Sequence, residues 1–159
     1  MMMRTLLLIV AIFGLLRQSS SQGAEAADPR EPEVRKLIDR YFRTWSNQDI
    51  DRYGQLFMPK AAVQMIDPAG ELVTMPLAPF LQSQREAHHQ SANPLTETAE
   101  SVEIRFEAGL ARVVVFWKLV DGKRVETGYD HFTLMQSNGN WRIANLIFYV
   151  ADQESKKPN

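Results

Sequence analysis

The C-terminal part of the chain, from Glu100 onward, is a run of β-prone segments punctuated by glycine pairs. SVEIRFE, LARVVVFWKLV, RVETGYDHFTLMQ and WRIANLIFYV are separated by Ala108-Gly109, Asp121-Gly122 and Asn138-Gly139. Asp-Gly and Asn-Gly are the preferred centres of two-residue hairpin turns, because both central residues need positive φ; Ala-Gly is a weaker match. Strands joined by such short turns form a continuous antiparallel meander, and the turn then sets which residues lie opposite one another.

The register can be worked out on that basis. Across Asn138-Gly139, Gln136 faces Trp141, Leu134 faces Ile143, Phe132 faces Asn145 and Asp130 faces Ile147. Across Asp121-Gly122, Trp117 faces Glu126, Val115 faces Gly128 and Val113 faces Asp130. Across Ala108-Gly109, Phe106 faces Ala111, Ile104 faces Val113 and Val102 faces Val115. Alternation of side chains along each strand divides these residues into two faces. The first carries Val102, Ile104, Phe106, Val113, Val115, Trp117, Asp130, Phe132, Leu134, Trp141, Ile143, Asn145, Ile147 and Tyr149, and is apolar enough to be the side that helices cover. The second is mixed, with Val114, Phe116, Tyr129, Leu146 and Phe148 forming an apolar patch among charges. A patch of that kind is expected to meet the same face of a second copy as a homodimer. Asp130 and His131, adjacent in sequence, point to opposite faces and form no acid–base pair unless a bulge intervenes.

The segment before the strands is helical. Val34, Leu37, Ile38, Tyr41, Phe42 and Trp45 recur at steps of three and one, making one apolar stripe on a helix opened by Pro32 and Glu33. Asp49 suits the N-cap of a short helix from Ile50 to Phe57, which Pro59 ends. AVQMID and ELVTM read as strands around Pro68-Ala69-Gly70, and PLAPFLQSQREAHH reads as a third helix.

The first residues stand apart. MMMRT, the apolar run Leu6 to Leu16, and a polar exit ending in Ala24-Glu25-Ala26 have the order of an export signal, so residues 1–26 are expected to be removed. The apolar run is well short of the ~20 residues that span a bilayer, and no membrane span is expected after processing. Residues 27–32 then read as a linker, 33–151 as one domain and 152–159 as a disordered tail. The chain contains no Cys, which removes disulfides and thiolate catalysis. Its 18 Lys and Arg against 19 Asp and Glu, with no basic run, point away from nucleic acid as a partner.

The order helix, short helix, strand pair, helix and four long strands resembles the nuclear transport factor 2-like superfamily, the cystatin-like fold of ketosteroid isomerases and small polyketide cyclases. The resemblance is carried by Trp45 and Asp49 in WSNQDIDRYGQLFMPKA and by GYDHFTLMQSNGNWRIANLIFY, which is similar to the family's G-x-D-x-F-x-L…W-x-I ending. It implies an α+β domain in which a cone-shaped curved antiparallel sheet wraps three N-terminal helices around a pocket at the wide end. It leaves activity open, because the fold serves isomerases, cyclases, dehydratases and non-catalytic proteins. The last strand also departs from members with a histidine pair there: it has Asn145 and Ile147.

Asp130 is the candidate catalytic residue. Set among Val113, Val115, Phe132 and Ile147, its carboxyl would be poorly solvated, and its pKa would rise toward that of a general base or a neutral donor. The competing reading is structural, with Asp130 bonding backbone or helix groups such as Tyr41 or Trp45. Tyr41, Trp45, Met65, Phe80, Val115, Trp117, Asn145, Ile147 and Tyr149 are the expected pocket lining. His88 and His89 adjoin on a helix and diverge by ~100°, so no metal site is expected. No Gly-rich phosphate loop or G-x-S-x-G occurs, and no cofactor is expected. These residues point to an exported domain that binds a small, partly hydrophobic molecule in a mostly apolar pocket. The alternatives are an isomerase or cyclase using Asp130 as base, with Tyr41 or Asn145 as donors, and a protein-interaction module.

Overall fold

The structure, a computed structural model, describes residues 28–151. The proposed leader (1–26) and tail (152–159) lie outside the described residues. The elements run α1 (Glu31–Ser46), α2 (Ile50–Gly54), β1 (Phe57–Ile66), β2 (Leu72–Pro76), α3 (Leu77–Gln90), β3 (Leu95–Glu107), β4 (Leu110–Asp121), β5 (Arg124–Ser137) and β6 (Asn140–Val150). One curved six-stranded sheet has the order β2-β1-β6-β5-β4-β3. The sheet is mixed rather than wholly antiparallel, because β1 lies parallel to β6. The chain between them is long enough for a parallel crossover, and β1 thereby covers the edge that β6 would otherwise expose.

All six stripe residues of α1 are buried. Against them pack Val113, Val115, Phe132, Leu134, Ile143 and Leu146 of the sheet in one core, and each aliphatic side chain buried there contributes roughly 1.5–3 kcal/mol. The residues before α1 do more than link. Arg30 pairs with Asp28, donates from Nη1 to the Ala108 carbonyl at 2.7 Å and lies 4.3 Å over the Phe106 ring, fastening the helix start to the β3–β4 turn. The second helix is shorter than expected and ends at Gly54, since Phe57 already begins β1.

The β3–β4 hairpin has the register read from the sequence: Phe106 opposite Ala111, Ile104 opposite Val113, Val102 opposite Val115. In β4–β5 the turn falls one residue later, with Asp121 opposite Arg124. The Asp121 carboxylate accepts hydrogen bonds from Ser91 and Asn93, which holds that residue in the strand. The pairing therefore moves by two, bringing Val115 opposite Asp130 and Val113 opposite Phe132, and both faces are preserved.

The β5–β6 pair breaks the alternation. It begins as expected through Leu134 opposite Ile143, but a bulge then sets Thr133 opposite Asn145, leaving Ala144 as an extra residue. A one-residue insertion turns every following side chain to the other side. Leu146 and Phe148, expected on the outer patch, point inward, and Leu146 is fully buried. Asn145, Ile147 and Tyr149, expected in the pocket, lie on the outer face, where the Tyr149 ring stacks 5.8 Å from His131 and sits 5.5 Å from Tyr129.

Candidate ligand-binding site

A second bulge builds the site. It leaves Glu100 unpaired between Ala99 and Ser101, and it turns Glu97, opposite Leu119, onto the inner face. Ser46 at the end of α1 fixes that stretch: its Oγ accepts from the Glu97 N–H at 2.9 Å and donates to the Glu97 carbonyl at 3.1 Å. Between α1, α3 and the inner sheet face is a cavity of about 190 Å³. Tyr41, Trp45, Tyr53, Phe80, Trp117 and Phe148 supply its aromatic walls, and Glu97, Glu126, Asp130 and Gln84 its polar groups. The Trp45 indole donates to Gln84 Oε1 at 2.8 Å, joining α1 to α3 at the rim.

Gly128 allows this arrangement. A methyl group on it would lie 2.2 Å from Trp117 Cζ2 and 2.2 Å from the Tyr149 carbonyl oxygen. Only a residue without a side chain lets the Trp117 ring lie across β5 beside Asp130, which accounts physically for the glycine two residues before the aspartate.

Asp130 is 3% exposed, and its Oδ2 has no hydrogen-bond partner. Burial pushes its pKa up to about 7, against the opposing pull of the Tyr41 hydroxyl and the Trp117 indole. Trp117 Nε1 favours the anion by proximity but makes no hydrogen bond of good geometry. Glu97 is half-buried and its pKa is raised well above the ordinary range, by burial first and by the Asp130 charge second. Carboxyls that face one another in this way lose their protons in linked steps, so near neutral pH a proton is readily held or released at this site. Glu126 is the third acid and is paired with Arg124. Tyr41 and Tyr53, both fully enclosed, have hydroxyl pKa values raised well above the usual, chiefly by burial.

A larger depression of about 670 Å³ lies between α1 and β3 and shares Glu97 with this cavity, but its other charged side chains, Arg35, Lys36, Asp39 and Arg43, are exposed to solvent. It has no buried polar atom lacking a partner. The smaller cavity carries the chemistry.

A family model described as "Putative lumazine-binding" matches residues 29–149. The chain belongs to that family. No curated protein matches it. Among solved structures, an uncharacterised protein with a cystatin-like fold from Caulobacter vibrioides aligns with TM-score 0.64 at 14% identity, covering 79% of this chain and 92% of that one. A nuclear transport factor 2-like protein of unknown function from Pseudomonas putida aligns with TM-score 0.66 at 14% identity, over 81% and 92%. The "Putative Scytalone Dehydratase" of Novosphingobium aromaticivorans aligns with TM-score 0.62 at 14% identity, over 77% and 85%. Identities this low establish the fold, which is nuclear transport factor 2-like.

In this lumazine-binding family chain, five of the residues singled out by sequence come together at the cavity: Tyr41, Trp45, Phe80, Trp117 and Asp130. Val115 is fully buried, and neither it nor the half-buried Met65 is part of the lining. Asn145, Ile147 and Tyr149 are carried away from it by the β6 bulge. The sequence reading missed Tyr53, Gln84, Glu97, Leu119, Glu126, Phe148 and Val150. Gln84 and Tyr53 recur at helical spacing from Phe80 and Ile50, and that periodicity is the signal that marks them. Glu97 and Phe148 owe their direction to bulges that no local signal announces. His88 packs its ring 4.4 Å from Trp45, behind the cavity wall, and burial lowers its pKa. Among the described residues, no group of three or more His, Cys, Asp or Glu side chains could hold a metal ion.

Proposed function

We propose that this chain is an exported protein that binds a small, partly hydrophobic molecule in the cavity beneath Trp117. The observation that carries the reading is the Asp130 carboxyl: deeply buried, with one oxygen unpartnered, and set in the wall of an aromatic-lined space. A buried polar group without a partner costs roughly 1–3 kcal/mol, and a ligand that supplies the missing hydrogen bond recovers it. The family description, which names lumazine, supports a compact, flat molecule and makes lumazine a natural first probe. The lining is more acidic than a mostly apolar pocket, so the ligand carries polar hydrogens as well as apolar surface. Native mass spectrometry of protein purified from its own host tests this directly. A co-purifying small molecule displaced by Trp117→Ala is the expected result, and a bare chain that also ignores lumazine in titration would refute it.

The second reading is proton transfer by an isomerase- or cyclase-like enzyme, with Asp130 as base and Tyr41 as donor. It is favoured by a carboxyl whose pKa of about 7 suits proton exchange at neutral pH. Asn145 has no part in it, because it lies on the outer face.

Export and self-association complete the proposal. N-terminal sequencing of material from the cell envelope or medium is expected to begin near Ala27. The outer face, with Val114, Phe116, Tyr129, Ile147 and Tyr149 half-buried side by side, is proposed as the contact with a second copy. Phe116→Glu should then convert a dimer to a monomer by light scattering. A wild-type protein already monomeric at micromolar concentration would end that idea.

A further inference from the structure

We propose that the molecule held in this cavity is a compact organic cation, an ammonium group carrying one apolar substituent. The inference rests on the reading of the cavity as a ligand site. Three kinds of observation point to a cation rather than to a neutral or anionic molecule.

The first is the set of charges. Among the described residues the lining contains Glu97, Glu126 and Asp130 and no Lys, Arg or His. Arg124 offsets Glu126 alone. The titratable groups facing Asp130 from the packed elements are Tyr41 of α1, Tyr53 of α2 and Glu97 of β3; none of them is a base. An anion entering here would meet only acids and phenols.

The second is the orphaned oxygen. Asp130 Oδ2 has no partner, although its residue is 3% exposed. An N–H of an ammonium group satisfies it and supplies the opposite charge that a buried carboxylate lacks.

The third is the wall. Tyr41, Trp45, Tyr53, Phe80, Trp117 and Phe148 surround the space. Aromatic faces attract ammonium groups within about 6 Å of the ring centroid, and more strongly where water is excluded. The volume of about 190 Å³ is smaller than the ~300–1,000 Å³ of sites for drug-sized ligands. It suits an amine with one small apolar group, the ammonium toward the carboxyls and the substituent toward Phe80 and Phe148.

Because the cation pairs with ionised carboxyls, its binding displaces the proton that the free site retains, and its affinity rises with pH until the acids are fully ionised. Calorimetric titration of the whole mature chain with benzylamine and with its neutral analogue benzyl alcohol tests this. The wild-type protein should bind benzylamine about tenfold more tightly than benzyl alcohol near pH 8, with net proton release in buffers of differing ionisation enthalpy. The preference should shrink near pH 6, as the carboxyls protonate. Asp130→Asn and, independently, Glu97→Gln should bring the two probes to similar affinity, chiefly by weakening benzylamine. Equal binding by the wild-type chain, or a preference that survives in both variants, overturns the cation and leaves the cavity a ligand site. If neither probe binds, the cation is likewise overturned, and the wider reading is then decided by the native mass spectrum.

Discussion

Asp130 and His131 are consecutive in β5 yet occupy contrasting halves of the molecule. The inner side places Asp130 among enclosed rings, where one oxygen of its carboxyl lacks a partner and the group holds its proton up to about pH 7. On the outer side His131 is half-buried, stacked on Tyr149 and tilted against Tyr129, open to water or to a second chain. The difference teaches that sequence adjacency in a strand separates side chains as effectively as distance. Here it keeps an acid and a base from neutralising one another. The inner face is built at a cost to stability, as binding sites commonly are, and the outer face is not.

The largest expected effect concerns that cost. The Asp130 pKa is raised from an unfolded value of ~3.9 to about 7, so the folded state binds this proton more tightly than the unfolded chain. Its contribution is fully present below pH ~4 and is lost as pH rises through about 7. Asp130→Asn should remove this dependence. In urea melts it should be more stable than wild type near pH 8, by up to roughly 4 kcal/mol, with the advantage shrinking toward pH 4. A variant less stable than wild type at every pH would mean that Asp130 is a structural tie, and the contrast between the faces would collapse.

Next in size is Gly128→Ala. The added methyl meets both a ring and a backbone oxygen, so either Trp117 or β6 must move, at a cost of about 3 kcal/mol. Thermal melts measure that cost, and quenching of Trp117 fluorescence by acrylamide should show the indole driven from the cavity wall. A neutral outcome would show that the wall is looser than described.

How much of this contrast was legible in the sequence follows from the parity of its errors. The turn at Asp121 was misplaced, but the resulting shift was two residues, and an even shift leaves faces intact. Asp130 could therefore be placed inside and His131 outside. Ala144 adds one residue, and an odd shift inverts the faces, so Asn145, Ile147 and Tyr149 exchanged places with Leu146 and Phe148. The sequence gives no warning there, because LIFY is apolar at every position and satisfies either register. Glu97 stayed hidden for a similar reason. Its segment, PLTET, lacks the apolar alternation of a strand, and only the Glu100 bulge and the Ser46 hydrogen bonds turn it inward. The helices were easier, because the α1 stripe has one periodic solution.

The smallest effect is expected on the outer face. His131→Gln replaces one half-buried polar ring and should change stability by no more than about 0.5 kcal/mol, leaving cavity ligands unaffected in titration. A loss of ligand binding equal to that of Asp130→Asn, and not additive with it, would mean that the two residues share a site.

The account's central claim is that Asp130 is a carboxyl held protonated into the neutral range by its burial in the cavity. The most direct measurement is a carbon NMR titration of the aspartate side-chain carboxyls, with the Asp130 signal assigned by its disappearance in Asp130→Asn. The account predicts a midpoint of about 7. A midpoint near the ordinary ~3.9 would contradict it.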